Sequence, residues 1–172
     1  TDRSWLRHVV GLLRGSPDVA RRLVVEITET ASLEDVDECA RFVSTLRSLG
    51  CRVALDAFGA GYPSFRHLQI LAVDMVRSDG SFVRDLPKNP ANMIFIRSLL
   101  DLARNFSLDT VAECVETMEE AEMLQNEGVG FLQGWAFGKP QMEPPWPNKQ
   151  AESQATDGAP ENVIVPVRSV AG

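Results

Sequence analysis

The feature that most constrains this chain is a repeated alternation of short apolar runs with longer stretches of helical periodicity. The apolar runs are Leu23-Val24-Val25 leading into Glu26-Ile27-Thr28-Glu29, then Arg52 to Asp56, Asp74 to Asp79, Val111-Ala112-Glu113 and Phe131-Leu132-Gln133. Strand-helix units in this rhythm imply parallel strands with helices outside, because parallel strands need a long crossover and a helix supplies it. The chain is thus α/β, either a doubly wound sheet or a barrel, and five units favour a barrel fragment.

Local chemistry marks the helices. Leu6, Val9, Val10 and Leu13 recur on one helical face, so a helix is expected from about Trp5 to Arg14, stopping at Gly15. Ser32 with Asp35 three residues on reads as a capping-box-like start, with a stripe of Leu33, Val36, Phe42, Val43 and Leu46 ending at Gly50. A glycine-rich loop, Phe58 to Pro63, precedes a short helix to about Leu71. Pro90 opens another helix running to about Phe106, and Thr117 with Glu120 caps one that stops at Gly128. From Gln141 onward Pro144, Pro145, Pro147 and Pro160 sit among polar residues, so 141–172 reads as a flexible Pro-rich tail, although Val163-Ile164-Val165 could add to a sheet edge.

At 172 residues with 44% hydrophobic content, the chain has enough apolar material for one domain. Its formal charge of −7 excludes bulk nucleic-acid or anionic-membrane binding, so a small anionic ligand would need metal ions or local cations. Cys39, Cys51 and Cys114 form no CxxC pair and read as reduced cytosolic thiols. No apolar stretch approaches a membrane span, and the start carries neither a basic nor an apolar leader region; the expected location is cytoplasmic.

Glu26, Asp56, Asp79, Glu113 and Gln133 each fall at the C-terminal end of a different expected strand. In a parallel barrel those ends converge on one rim. Any one of them has a plain alternative as a helix cap or loop residue, Glu29 above all. Five together would repel unless protons or hard cations intervene, and carboxylates with an amide oxygen suit Mg²⁺ or Mn²⁺. A metal-dependent hydrolase is the reading this pattern supports. His8 and His67 lie on helical stretches far from the pattern and are not expected to act.

Five segments carry a resemblance. "LVVEITET" (Leu23 to Thr30) resembles the E-x-T-E segment of EAL phosphodiesterases, and "ALDAFGAGYPSF" (Ala54 to Phe65) their D-D-F-G-x-G loop. "VDMVRSDGSFV" (Val73 to Val83), "TVAECVET" (Thr110 to Thr117) and "GFLQGWAFGKP" (Gly130 to Pro140) are similar to three further motifs, in family order. The resemblance implies a partial EAL domain over 1–140, an incomplete (β/α)8 TIM-like barrel, and hydrolysis of cyclic di-GMP to pGpG with two divalent cations, Mg²⁺ or Mn²⁺. It implies that Glu26 and Asp56 are metal ligands, Glu113 supports that metal site, Asp79 holds a second metal or its water, and Gln133 bonds near the water. Glu29, Gly59 and Gly61 would brace the rim loop.

The departures bear on activity. The family's second loop Asp is Ala57, and the Lys that contacts the attacking water is Arg77, which keeps the charge on a bulkier, never-deprotonated group. Ser78 replaces an apolar strand residue, Cys114 a Gly and Trp135 a Tyr. The E-A-L motif and the Asn ligand after it have no counterpart, so the chain reads as the C-terminal two-thirds of such a domain. Three functions are therefore carried forward: an impaired cyclic di-GMP phosphodiesterase, a silent regulatory module binding cyclic di-GMP or a protein, and a truncated remnant. Expected partners are cyclic di-GMP, a second copy of the domain, and an upstream GGDEF or sensory domain.

Overall fold

The computed structural model describes residues 3–28, 35–59, 65–140 and 165–166. Helix α1 (Arg3–Arg14) is followed by α2 (Pro17–Ala20), a single turn that the periodicity did not reveal and that Pro17 starts by fixing the first helical φ. Five strands then run parallel: β1 (Val24–Thr28), β2 (Arg52–Phe58), β3 (Met75–Ser78), β4 (Asp109–Ala112) and β5 (Phe131–Leu132). Their spatial order is their sequence order. A doubly wound sheet reverses direction at a switch point, whereas a barrel wall proceeds without reversal, so the strand order decides between the two architectures. A two-residue strand, β6 (Val165–Pro166), pairs antiparallel to β5, with Leu132 opposite Val165.

The intervening helices are α3 (Val36–Ser48), α4 (Phe65–Leu71), α5 (Pro90–Phe106) and α6 (Met118–Glu127), with two 3₁₀ turns, Gly80–Phe82 and Leu86–Lys88, between β3 and α5. Asp35 is the N-cap of α3, its carboxylate accepting the Glu38 N–H at 2.8 Å, rather than the third residue of a helix begun at Ser32. Asp satisfies an orphan N–H best from the cap position itself. Ser32 and Leu33 lie outside the described residues. Thr117 and Glu120 form the expected capping box on α6, and Gly128 ends that helix at φ +91°. None of the described helices is long and apolar enough to cross a membrane.

Alternation along each strand sorts the side chains into two faces. Val53, Leu55 and Val76 are fully buried in an outer cluster with Leu46 of α3, Leu71 of α4 and Leu99 of α5. Val53 and Leu55 thus point at the helices. Burial of this kind is worth roughly 1.5–3 kcal/mol per side chain. The inner face is a separate layer of Val24, Ala54, Met75, Val111 and Phe131, one residue from each parallel strand. Two residues further along each strand stand Glu26, Asp56, Arg77, Glu113 and Gln133. A period of two therefore carries an apolar layer directly into a polar one at the ends where the strands finish.

Candidate active site

The polar layer depends on an irregularity in β2. Ala54 and Leu55 pair with Met75 and Val76, but Phe58 pairs with Ser78, so one extra residue is accommodated between Leu55 and Phe58. Ala57 is that residue and sits in the left-handed region at φ +56°. Strict alternation would turn Phe58 inward beside Asp56; the bulge sends it outward into the helix-facing cluster and leaves Asp56 alone at the rim. Gly59 follows at φ +100°, pressed beneath the stacked rings of Phe82 and Phe95, and a Cβ there would lie 2.5 Å from the Phe95 ring. Glycine is required on both counts.

At the other side of the site Gln133 is fixed through its backbone, donating to Ala112 O at 2.9 Å and accepting from Val115 N at 3.1 Å. Gly134 permits this, because any side chain there would collide with the Val115 backbone.

Arg77 occupies the centre. Its guanidinium donates to Glu26 and to Glu113 in short charge-assisted contacts, and to Gln133 Oε1 at 3.1 Å. Asp56 Oδ1 lies 3.3 Å from Nε without the alignment of a hydrogen bond, and that buried oxygen has no other partner. The Arg77 side chain is 7% exposed, against 43% for Glu26 and 22% for Glu113. The planar fork explains how one residue reaches so many acceptors. Withdrawal from water nevertheless pushes the Glu113 carboxyl above its usual value; Arg77 pulls it down, and Asp56 and Glu26 push it up again. Three carboxylates face one cation, so the layer retains net negative charge.

The positions singled out in the sequence divide accordingly. Glu26, Asp56, Arg77, Glu113 and Gln133 converge. Asp79 follows β3 and caps the first 3₁₀ turn, its carboxylate accepting the Ser81 N–H at 2.9 Å. Ala57 offers no ligand atom, and Glu29 and Gly61 lie outside the described residues. Among the described residues no group of three His, Cys, Asp or Glu side chains forms a cage for a metal ion. The space such an ion would take between Glu26, Asp56 and Glu113 holds the guanidinium, so the residues as arranged do not fit a divalent pair.

Beside the cluster lies an open cleft of about 280 Å³ lined by Glu113, Gln133, Arg84, Glu116 and Trp135. Trp135 is 58% exposed, with the Lys139 ammonium 5.1 Å from its ring centroid, and Arg84 Nε is 3.5 Å from Glu116. The sequence reading passed over Arg84. It belongs to no recognisable spacing, and only the 3₁₀ turn before it brings it to the cleft.

A family model, the EAL domain, matches residues 1–140. The chain belongs to the EAL domain family. This EAL domain is 37% identical over 119 residues to the probable cyclic di-GMP phosphodiesterase PdeA of Escherichia coli K12, a match covering 69% of the chain and 16% of PdeA. The chain therefore corresponds to a small part of that relative's length. Among solved structures, the EAL domain of Mycobacterium smegmatis DcpA is similar at a TM-score of 0.71 and 33% identity, covering 81% of this chain and 63% of that one. The manganese and cyclic di-GMP complex of Klebsiella pneumoniae BlrP1 is similar at a TM-score of 0.69 and 30% identity, covering 76% of this chain and 34% of that one. That relative's complex holds manganese and the nucleotide.

Proposed function

We propose that this EAL domain takes cyclic di-GMP as its ligand and hydrolyses it slowly. The ligand class is supported by family membership and by relatives named as cyclic di-GMP phosphodiesterases. The slow turnover rests on one observation, the engagement of Glu26, Glu113 and Gln133 by Arg77 with Asp56 beside it. Side chains already bonded to a guanidinium are not free to orient a water or bind a metal. The carboxyl lost at Ala57 removes one more polar group from the rim. The cleft beside Trp135 and Arg84 offers an aromatic face and a cation to a nucleotide. A second copy of the domain and an attached GGDEF or sensory domain are the partners this reading proposes.

The test is pGpG release from cyclic di-GMP with Mn²⁺ or Mg²⁺ present, alongside nucleotide binding by calorimetry. Binding with turnover far below the order of 1 s⁻¹ is expected, and turnover at or above that level would refute slow hydrolysis. Ala57 favours a second reading, a module that binds and does not hydrolyse. The variant A57D/R77K separates the two: an impaired enzyme should gain about 10²-fold or more, since one well-placed electrostatic group is commonly worth that much, whereas a silent module should gain nothing.

A further inference from the structure

Glu120 belongs to helix α6, yet only one of its two carboxylate oxygens serves that helix. Oε2 accepts the Thr117 N–H at 3.0 Å and the Glu116 N–H at 2.8 Å, a capping box extended by one residue. Oε1 accepts the Asp85 N–H at 3.0 Å, from the chain that follows β3. Helix capping has no use for that third bond, which joins residues 35 positions apart in sequence. Glu120 is 3% exposed, so water is poorly placed to replace it as an acceptor. We propose that Glu120 is a positioning residue: each oxygen holds one wall of the cleft beside the strand ends, and together they set the spacing of Arg84 and Glu116 that a nucleotide in the cleft would meet.

The bonds end where the cleft is made. Asp85 directly follows Arg84, and Glu116 lines the cleft itself, its carboxylate 3.5 Å from Arg84 Nε across the opening. Both side chains are exposed, and an exposed ion pair contributes too little to fix its own geometry. Their spacing has to come from the backbone beneath them. On the Arg84 side that backbone is unusual, because Asp85 sits in the left-handed region at φ +56°. Val83 and Leu86 flank it, fully buried in one apolar cluster with Ala121 and Leu124 of α6. Packing therefore fixes the chain on either side, and the Glu120 bond fixes it at the neighbour of Arg84.

The role rests on the reading of the cleft as a nucleotide site, so its test has one arm without nucleotide and one with it. The full chain is compared with E120Q, T117A and E116Q. In E120Q one oxygen remains to accept, and an NH₂ group faces the N–H of the other wall. T117A removes the hydroxyl that accepts the Glu120 N–H at 3.2 Å and leaves both walls bonded, so it controls for lost helix capping. Without nucleotide, NMR follows the Arg84 Nε–H resonance, and E116Q gives its position when the partner charge is gone. E120Q should move the resonance toward that position and T117A should not, although both variants melt lower. With cyclic di-GMP, calorimetry should show E120Q binding about tenfold more weakly than the native chain, the weight of one hydrogen bond to a charged group. T117A should stay within about twofold of native. A native Arg84 resonance or native affinity in E120Q overturns the proposal, as does an equal change in T117A. If E120Q does not fold, E120D takes its place under the same outcomes, since a carboxylate one methylene shorter cannot reach both walls. Absence of nucleotide binding by the native chain would refute the functional reading, and the Arg84 resonance would still decide the role of Glu120.

Discussion

At the ends where the parallel strands begin, Arg47 stands 3.1 Å from Asp74 and Arg52 pairs with Asp109, each arginine answering to one aspartate with solvent beside them. At the ends where they finish, one buried arginine answers to Glu26, Asp56, Glu113 and Gln133. The same side-chain types thus do different work. At the first end they tie β2 to β4 across β3 and helix α3 to the start of β3, and Asp74 also accepts the Val53 N–H at 2.8 Å. Left-handed residues occur at both ends, Ala72 and Ser107 at the first and Ala57 and Cys114 at the second, but the buried oxygens without hydrogen-bond partners, Asp56 Oδ1 and Ser78 Oγ, lie at the second. Local departures of this kind persist where surrounding structure forces them, and they cluster at functional rims.

The largest effect should come from removing each arginine in turn. R77M strands three carboxylates around an apolar side chain and should cost about 3–5 kcal/mol, the usual penalty for breaking a buried charge cluster. R52A, at the solvated end, should cost no more than about 1 kcal/mol. Urea denaturation of both variants measures the difference, and equal losses would abolish the contrast between the ends.

Ser78 sharpens the contrast within β3. Its hydroxyl is buried, faces the helices and has no partner, so S78A should stabilise the domain by about 1 kcal/mol. A loss of the same size in the same denaturation experiment would mean that the hydroxyl is hydrogen-bonded.

The smallest effect should be the pH response of Glu113, because it comes from one partly exposed group. Its carboxyl is raised above 4.5, chiefly by burial, so the folded state holds the proton more tightly than the unfolded chain. Stability from this group is present at low pH and is lost as pH rises through the folded-state value. E113Q keeps an acceptor but does not titrate. Between pH 4.5 and neutrality the native chain should therefore lose stability relative to E113Q. Drift in the opposite direction would show that Arg77 outweighs burial.

What was legible in the sequence was local. The Thr117 and Glu120 capping box, the Pro90 start of α5 and the Gly128 stop depend on residues a few positions apart, and the structure has them where expected. The strand ends just before Glu113 and Gln133 were also readable, since they need only the end of an apolar run, whereas β1 continues two residues past Glu26 and β2 two past Asp56. The hub at Arg77 was not readable, because it depends on the register of neighbouring strands together. Nor was the bulge at Ala57, which extends β2 beyond Asp56 and reverses the face of Phe58. The cap that Asp79 places on the 3₁₀ turn after β3 was not legible either, because no apolar run announces a turn of three residues.

The placement of Arg77 and Ser78 on opposite faces of β3 also bears on assembly. Were β3 to slide by one residue against its neighbours, every side chain would change faces. The guanidinium would be driven toward Ile96, Leu99 and Leu100, which adjoin Ser78, and a hydroxyl would be left before three carboxylates. Both halves of that exchange are unfavourable, and neither can be relieved by small shifts of an apolar core. Arg77 therefore acts as an alignment key: the short strand β3 has only four residues with which to find its place, and one of them fits a single setting of the sheet.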